Sequence, residues 1–308
     1  MSTIEQAAKR LEQLRQAGVD VSVLPNSLPA PPQSNGAVLT NQIIEIDPIL
    51  QGSSSSMGTA SSPTPSDRKS RQVDLDFLSM QRAGLLVPGQ PRSQLEEEIR
   101  IIKRPLLDNV KGQASIRPDR ANLIMVTSST AGEGKTQIAL NLAVSIAMEL
   151  DHTVLLVEAD VIRPTTLNRV GVQANKGLLD LLQNPSMDLS EVLLRTNIPK
   201  LTLLPTGAGN ARSTELLASG AMSHLLNELT SKYSDRVIVF DTPPLLSTTE
   251  SRVLAAQMGQ VVMVVEAVKT PLSMIKQAFA TLEDHPVVMT VLNKYRGPKG
   301  HNYGYYAP

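Results

Sequence analysis

The stretch Leu123-Ile-Met-Val-Thr-Ser-Ser-Thr-Ala-Gly-Glu-Gly-Lys-Thr136 sets the fold class that we expect for this chain. An apolar run up to Val126 predicts a strand, and apolar residues at helical spacing after Thr136 predict a helix. The order strand, loop, helix is the context in which a phosphate-binding loop works. Glycines let successive backbone N–H groups point at phosphate oxygens, and the helix N-terminus adds partial positive charge.

Two side chains of this loop have specific expected tasks. Lys135 would reach the β- and γ-phosphates of a nucleotide, and the Thr136 hydroxyl would ligate Mg²⁺. Ser129 stands where the usual motif has its first glycine. The alternative, a glycine-rich turn without a ligand, is disfavoured because the strand and the helix are both present. The residues expected to contact the nucleotide are Ser129, Thr130, Ala131, Gly132, Glu133, Gly134, Lys135, Thr136 and Gln137.

Composition excludes several classes of function. The 308 residues contain no cysteine, so disulfides, a thiolate nucleophile and a cysteine-based metal site are impossible. The formal net charge is zero, which gives no bulk reason to expect nucleic acid binding. No apolar run approaches the ~20 residues of a membrane helix. We therefore expect a soluble, cytoplasmic chain.

Apolar runs alternate with helical patterns through the second half of the chain. The predicted strands are 122–126, 153–157, 201–204, 237–240, 261–265 and 287–291, and the predicted helices are 94–111, 137–150, 177–182, 214–232, 251–256 and 272–283. Near-continuous Val, Ile and Leu strands with helical crossovers indicate an α/β fold. The expected architecture is a mostly parallel sheet with helices on both faces.

The remaining segments differ in composition from this domain. Residues 1–24 begin with an amphipathic helix that either packs on the chain itself or docks on a partner. Residues 25–92, rich in Pro, Ser and Gly, are predicted to be a flexible linker, with a short helix possible within 73–86. Residues 93–294 are the predicted domain, and residues 295–308 a flexible tail that contains Tyr303, Tyr305 and Tyr306.

Acids at two further strand ends are expected to face the loop. Glu158 and Asp160 follow one buried strand, and Asp241 follows another. In a parallel sheet both ends emerge on the same side, at the ligand edge. Asp160 and Asp241 would orient the waters of Mg²⁺, and Glu158 could accept a proton from an attacking hydroxyl. Asn293, after the last strand, could pair with a purine edge or simply occupy a turn.

Taken together, these residues resemble the P-loop type of bacterial tyrosine kinase (BY-kinase), a P-loop NTPase related to the ParA and MinD ATPases. The chain is most similar to the tyrosine autokinases encoded with exopolysaccharide and exosortase gene clusters. The resemblance implies ATP and Mg²⁺ as cofactors and the tail tyrosines as phosphoryl acceptors between subunits. It also implies a Walker A motif at residues 129–136, a Walker A′ motif at 158–163 and a Walker B motif at 241–244. Glu158 and Ile162 depart from the Asp and Arg of the usual Walker A′ motif.

The resemblance also implies partners. Glu97, Arg100 and Lys103 are similar to the family's ring-forming strip, although the same spacing also suits an ordinary solvated face. Further expected partners are a membrane polysaccharide co-polymerase, which determines chain length and would recruit the kinase to the inner face of the membrane through its cytoplasmic segment, and a tyrosine phosphatase. Two alternatives stay open: a ParA/MinD-like ATPase switch that phosphorylates no protein, and a regulatory module whose nucleotide site is structural.

Overall fold

The computed structural model describes residues 70–114, 118–209, 211–233 and 236–296. They form one eight-stranded sheet in the order β1-β4-β5-β3-β6-β2-β7-β8, in which only β4 and β5 pair antiparallel. The strands are β1 Arg71–Val73, β2 Leu123–Ser128, β3 Thr153–Glu158, β4 Leu194–Thr196, β5 Leu201–Leu204, β6 Arg236–Asp241, β7 Gln260–Glu266 and β8 Val288–Asn293.

Helices cover both faces of this sheet. They are α1 Phe77–Arg82, α2 Gln94–Val110, α3 Lys135–Ala147, α4 Thr166–Arg169, α5 Leu178–Gln183, α6 Ser213–Leu217, α7 Gly220–Lys232, α8 Thr249–Ala255 and α9 Leu272–Ala280, with a 3₁₀ turn at Leu189–Glu191. One apolar core includes residues of α1, α2 and α3, and the other includes residues of α5, α7 and α8. The predicted fold class is therefore confirmed.

The central strands form because they are apolar along their whole length and buried on both faces. Every residue of β2 is buried, and all of β6 except its first residue. Their register places Asp241 beside Val126 on one side and beside Glu158 on the other. The carboxyl ends of β2, β3 and β6 thus meet at one edge, where the loop after β2 begins.

Most predicted elements appear within about two residues of their expected ends, with two clear differences. The helix expected over residues 214–232 is divided into α6 and α7, because Ser219 caps the second helix by accepting a hydrogen bond from the Met222 N–H at 3.3 Å. The short strands β1 and β4 and the four-residue helix α4 were not predicted.

The folded region starts earlier than predicted. The linker was expected to continue to residue 92, but β1 pairs with β4, and Leu75, Met80 and Leu85 are buried. Asn197 holds this segment through hydrogen bonds to the Leu75 N–H and carbonyl, at 2.9 and 3.2 Å. We call residues 70–87 the strap. The expected N-terminal helix, the linker up to residue 69 and the tail tyrosines lie outside the described residues.

Candidate active site

The loop between β2 and α3 has a backbone shape that only glycine tolerates easily. Gly132 and Gly134 have φ angles of +90° and +101°. A β-carbon on Gly134 would lie 2.1 Å from Asn293 Nδ2, far inside van der Waals contact. The loop can therefore pass close beneath the end of β8 while α3 starts at Lys135 with its free N–H groups facing outward.

One side chain of the loop itself and others from two places, the segment after β7 and the end of β8, hold the loop in this shape. Glu133, 2% exposed, accepts hydrogen bonds from the Thr130 N–H at 2.8 Å and from the Thr270 hydroxyl. Asn293 Nδ2 donates to the Glu133 carbonyl at 2.8 Å, and Lys294 Nζ donates to the Gly132 carbonyl at 2.6 Å. The carbonyls of Gly132 and Glu133 and the Thr130 N–H are thus engaged within the protein, which leaves the N–H groups nearer the start of α3 for a ligand.

Asn293 supports the loop from the end of β8. Its amide nitrogen is bonded to the loop, and its amide oxygen accepts the Lys294 N–H at 2.9 Å. Asn293 also lines the cavity in front of the loop. Since an amide has a second N–H and a second lone pair, contact with a purine edge stays a prediction.

The structure brings Lys135 together with two of the three predicted acids. Lys135 Nζ lies 2.5 Å from Asp160 Oδ2 and 3.6 Å from Asp241 Oδ1. All three residues are buried, with 8%, 4% and 0% of their surfaces exposed. At this depth the ammonium is the counter-charge of the two carboxylates, since an unpaired ion would be costly to bury.

Asp241 has the least satisfied carboxylate of the site. Its complete burial raises its pKa, opposed by Lys135 and by the Thr136 and Thr166 hydroxyls. Oδ2 accepts the Thr166 hydroxyl at 2.8 Å. Neither Lys135 nor Thr136 gives Oδ1 a hydrogen bond of acceptable geometry, and no other described residue does. An ionised oxygen without a donor can be satisfied by a cation.

The donor set fits a hard divalent cation such as Mg²⁺. Thr136, Asp160 and Asp241 offer only oxygen atoms, and Asp241 Oδ1 needs a partner. Within the described ranges no group of three or more His, Cys, Asp or Glu side chains could hold a metal by itself. Mg²⁺ takes one or two protein carboxylates and completes its shell with waters and substrate phosphates, so Thr136, Asp160 and Asp241 are enough to hold it.

Glu158 is placed differently from our expectation. Its Oε1 accepts the N–H groups of Thr166 and Leu167 at 2.7 and 3.3 Å, and its Oε2 accepts the N–H and the hydroxyl of Thr206 at 3.3 and 3.1 Å. Three backbone N–H groups occupy its lone pairs, together with the Thr206 hydroxyl, which is shared with the Glu158 carbonyl. Glu158 does not line the cavity in front of the loop. The expected proton acceptor therefore binds α4 and the end of β5 to β3. Glutamate at this position has the length to reach both.

The cavity in front of the loop has a volume of about 690 Å³. It includes Gly132, Gly134, Lys135, Thr136 and Asp160, as the sequence predicts. It also includes three cationic side chains: Arg163, the last residue of the predicted Walker A′ motif, and Arg169 and Lys294, which belong to none of the predicted motifs. Such a positive wall around open N–H groups suits a polyanionic ligand.

The predicted ring-forming strip is only partly on the surface. Arg100 bonds to Glu97 at 3.0 Å and to Glu96 at 3.3 Å within its own helix. Lys103, 5% exposed, donates to the Ser145 carbonyl at 2.9 Å and pairs with Glu149 at 2.7 Å. The expectation that Lys103 faces a second subunit is therefore wrong, because its ammonium binds the C-terminal end of α3.

Replacing Lys103 with methionine should lower the free energy of unfolding by about 2 kcal/mol, because the Ser145 carbonyl then loses a charged donor. The Lys103 hydrogen bond lowers the pKa of Glu149 from its ordinary 4.5. This part of the stability is present above the ordinary pKa and disappears as pH falls through the lowered one. Urea unfolding at pH 7 and pH 3 measures both effects. Lys111→Met is the control, and equal stability of the two variants at pH 7 would contradict the assignment.

Comparisons with known proteins agree with this geometry. Residues 121–285 match the family model AAA_31, described as an AAA domain. The chain is 31% identical over 245 residues to EpsB of Ralstonia nicotianae, named as a tyrosine-protein kinase, and 29% identical over 230 residues to the tyrosine-protein kinase YwqD of Bacillus subtilis. These alignments cover 76% and 74% of this chain, but 31% of EpsB and 92% of YwqD.

A solved structure has the same fold. The crystal structure of the chimerical protein CapA2B2 superposes with a TM-score of 0.56 at 28% identity, over 72% of this chain and 93% of that one. No helix in the described ranges has the length and apolar character needed to cross a bilayer. The matched family model spans more than half of the chain and contains the loop, both aspartates and the strands that carry them. The chain therefore belongs to the AAA domain family of nucleotide-binding proteins.

Proposed function

We propose that the chain is an ATP-dependent protein-tyrosine kinase that phosphorylates tyrosines of its own C-terminal segment and so regulates exopolysaccharide synthesis and export. The observation that carries the proposal is the pair of buried aspartates around Lys135, one with a free oxygen, at the floor of a cationic cavity. The names of EpsB and YwqD support the choice of tyrosine kinase within the family.

In this proposal the loop N–H groups and Lys135 hold the β- and γ-phosphates of ATP. Thr136 would hold Mg²⁺ directly, and Asp160 and Asp241 would hold it through its waters; the ion would neutralise charge on the phosphates. The phenol oxygen forms a bond to the γ-phosphorus, and the bond from that phosphorus to the β–γ bridging oxygen breaks. Asp160 is our candidate to receive the phenol proton, because it lines the cavity and its Oδ2 is released when Lys135 turns to the phosphates.

The position of the C-terminal end supports the choice of acceptor. Lys294 lines the cavity, and the described chain ends two residues later, at Arg296. The twelve residues that follow can extend up to about 40 Å, which is enough to enter this cavity or that of a second copy. The chain has five tyrosines, and three of them are in that segment.

Changing Tyr303, Tyr305 and Tyr306 together to phenylalanine should remove most of the phosphate that the wild-type protein incorporates. The test incubates purified protein with labelled ATP and Mg²⁺ and maps modified residues by mass spectrometry. Tyr233→Phe is the matched control, since Tyr233 is stacked against Arg236 in the folded domain, 4.9 Å from the guanidinium carbon to the ring centre. Phosphate found chiefly on Tyr233, Tyr295 or on serine and threonine would reject the proposed acceptors.

A second candidate function is an ATPase switch of the ParA/MinD kind that phosphorylates no protein. The observation in its favour is the engagement of Glu158, which removes the base that we first expected. Release of inorganic phosphate without any phosphotyrosine in the same labelled reaction would support this function over the kinase.

For partners, we propose a membrane polysaccharide co-polymerase, contacted by residues 1–24, and a tyrosine phosphatase that resets the tail. A ring of subunits would have to form through surfaces other than Lys103, since that side chain is bound within its own domain. Pull-down of a co-polymerase cytoplasmic segment with and without residues 1–24 tests the first contact, and light scattering tests the ring.

A further inference from the structure

Arg169 lies on the wall of the nucleotide cavity but belongs to none of the motifs described above. It is the last residue of α4 and is exposed to solvent. Its Nη1 donates to Gln137 Oε1 at 3.0 Å. Its other N–H groups have no acceptor among the described residues, although the guanidinium lines the same cavity as Lys135 and Thr136. A guanidinium with free donors at this place is suited to a bidentate contact with phosphate.

Gln137 holds this guanidinium because its side chain is fixed at both ends. It is the third residue of α3, immediately after Thr136. Its Oε1 accepts from Arg169, and its Nε2 donates to the carbonyls of Ala83 and Gly84 at 3.0 and 2.6 Å. Those carbonyls belong to the turn after α1, where Gly84 has a φ angle of +70°. One amide thus joins the strap, α3 and α4.

The strap is anchored independently, so the position of its turn is well defined. Met80 is completely buried, and the Leu86 N–H donates to Asn141 Oδ1 of α3 at 2.8 Å. The strap therefore presents two carbonyls to Gln137 at a fixed place beside the N-terminus of α3. A movement of the Gln137 side chain would break its hydrogen bonds to both strap carbonyls. Gln137 therefore holds Arg169 at the cavity wall.

We propose that Arg169 binds the phosphate chain of the nucleotide, that Gln137 is the positioning residue that orients it, and that the strap fixes Gln137. The inference rests on the nucleotide site of the proposed function but not on the kinase reaction. Oriented in advance, the guanidinium loses little freedom when the phosphates arrive, and its planar donor pair matches phosphate oxygens better than an ammonium does.

The test measures ATP affinity by displacement of a fluorescent ADP analogue in the presence of Mg²⁺. Arg169→Ala should weaken ATP binding by about tenfold or more, because a charged hydrogen-bond donor is lost. Arg169→Lys should fall between this variant and wild type. Arg195→Ala is the charge-matched control, since Arg195 is exposed on β4 and three strands separate β4 from β2. Melting curves establish that each variant is folded.

The role of Gln137 has its own signature. Gln137→Ala and Gln137→Glu should each weaken ATP binding severalfold, because alanine loses the contact to Arg169 and the carboxylate of glutamate cannot donate to the carbonyls of Ala83 and Gly84. The double variant Gln137→Ala, Arg169→Ala should bind ATP within about twofold of the affinity of Arg169→Ala. The reason is that Gln137 acts only through Arg169, so removing it has little effect once Arg169 is gone. The inference would be overturned if folded Arg169→Ala, Arg169→Lys and Arg195→Ala bound ATP with equal affinity. It would also be overturned if the losses of binding free energy in Gln137→Ala and Arg169→Ala added fully in the double variant. If the wild-type protein forms no phosphotyrosine but the affinities differ as stated, the kinase proposal fails and this inference stands.

Discussion

Replacing Lys135 with methionine is expected to reduce phosphotyrosine formation by at least about a thousandfold, the scale set by loss of a charge-stabilising group in a closed site. Lys135 is the cation nearest to both buried aspartates, at 2.5 Å from one and 3.6 Å from the other. Without it, two carboxylates would face an incoming triphosphate that carries the same sign of charge. Binding and the chemical step should therefore fail together.

The same change should also lower stability. Removing one partner of a buried ion pair costs roughly 3–5 kcal/mol, because the remaining charge is left uncompensated. Lys135→Arg separates the two effects. It keeps the charge beside Asp160 and Asp241, so it should fold better than the methionine variant, yet it cannot occupy the site of a lysine ammonium and should remain strongly impaired.

Measurement combines quantitative phosphotyrosine mass spectrometry with thermal unfolding. Lys232→Met is the matched control, since Lys232 is exposed on α7 and pairs with Glu228 of the same helix. A folded Lys135→Met protein that forms phosphotyrosine at the wild-type rate would show that the loop is not the site of phosphoryl transfer.

Replacing Glu158 with alanine is expected to cost about 4 kcal/mol of unfolding free energy, because up to four buried donors lose their acceptor. Three of those donors are backbone N–H groups of Thr166, Leu167 and Thr206, which cannot turn away. Glu158→Gln should cost less, since one carbonyl oxygen remains to accept. Glu158→Asp should also destabilise, since the shorter side chain cannot reach α4 and Thr206 together.

Activity distinguishes this structural role from that of a base. If Glu158 only positions α4, the folded Glu158→Gln variant should form phosphotyrosine within about tenfold of the wild-type rate, whereas Asp160→Asn should lose about a hundredfold or more. Urea unfolding and the rate of phosphotyrosine formation provide the two readouts, with Glu283→Gln, an exposed acid, as the control. A folded Glu158→Gln variant that loses as much rate as Asp160→Asn would return the base role to Glu158.

The central sheet could be predicted because its information is local. Each of β2, β3, β6 and β7 is a short apolar run, and the glycine-rich loop follows the strand that it must follow. The adjacency of Asp160 and Asp241 follows from the rule that parallel strands end together. For these parts, sequence order and spatial order are linked by general topology.

The features that were missed depend on partners far along the chain. Lys103 is bound to residues more than forty positions later, and Glu158 to Thr206 at a separation of 48. The strap looked like a continuation of the linker because its buried residues are few and its anchors, such as Asn141 and Asn197, lie in the later domain. Charged side chains at helical spacing similarly suggest an exposed face whether or not one of them is buried.

The chain enters and leaves the sheet at opposite edges. It enters at β1 and leaves after β8, and six strands lie between these two. Since neighbouring strands lie about 4.8 Å apart, β1 and β8 are roughly 34 Å apart across the sheet. A molecule that holds the protein by the segment before β1 thus leaves the root of the tyrosine-bearing segment uncovered, so that capture at one flank and modification at the other can occur at the same time.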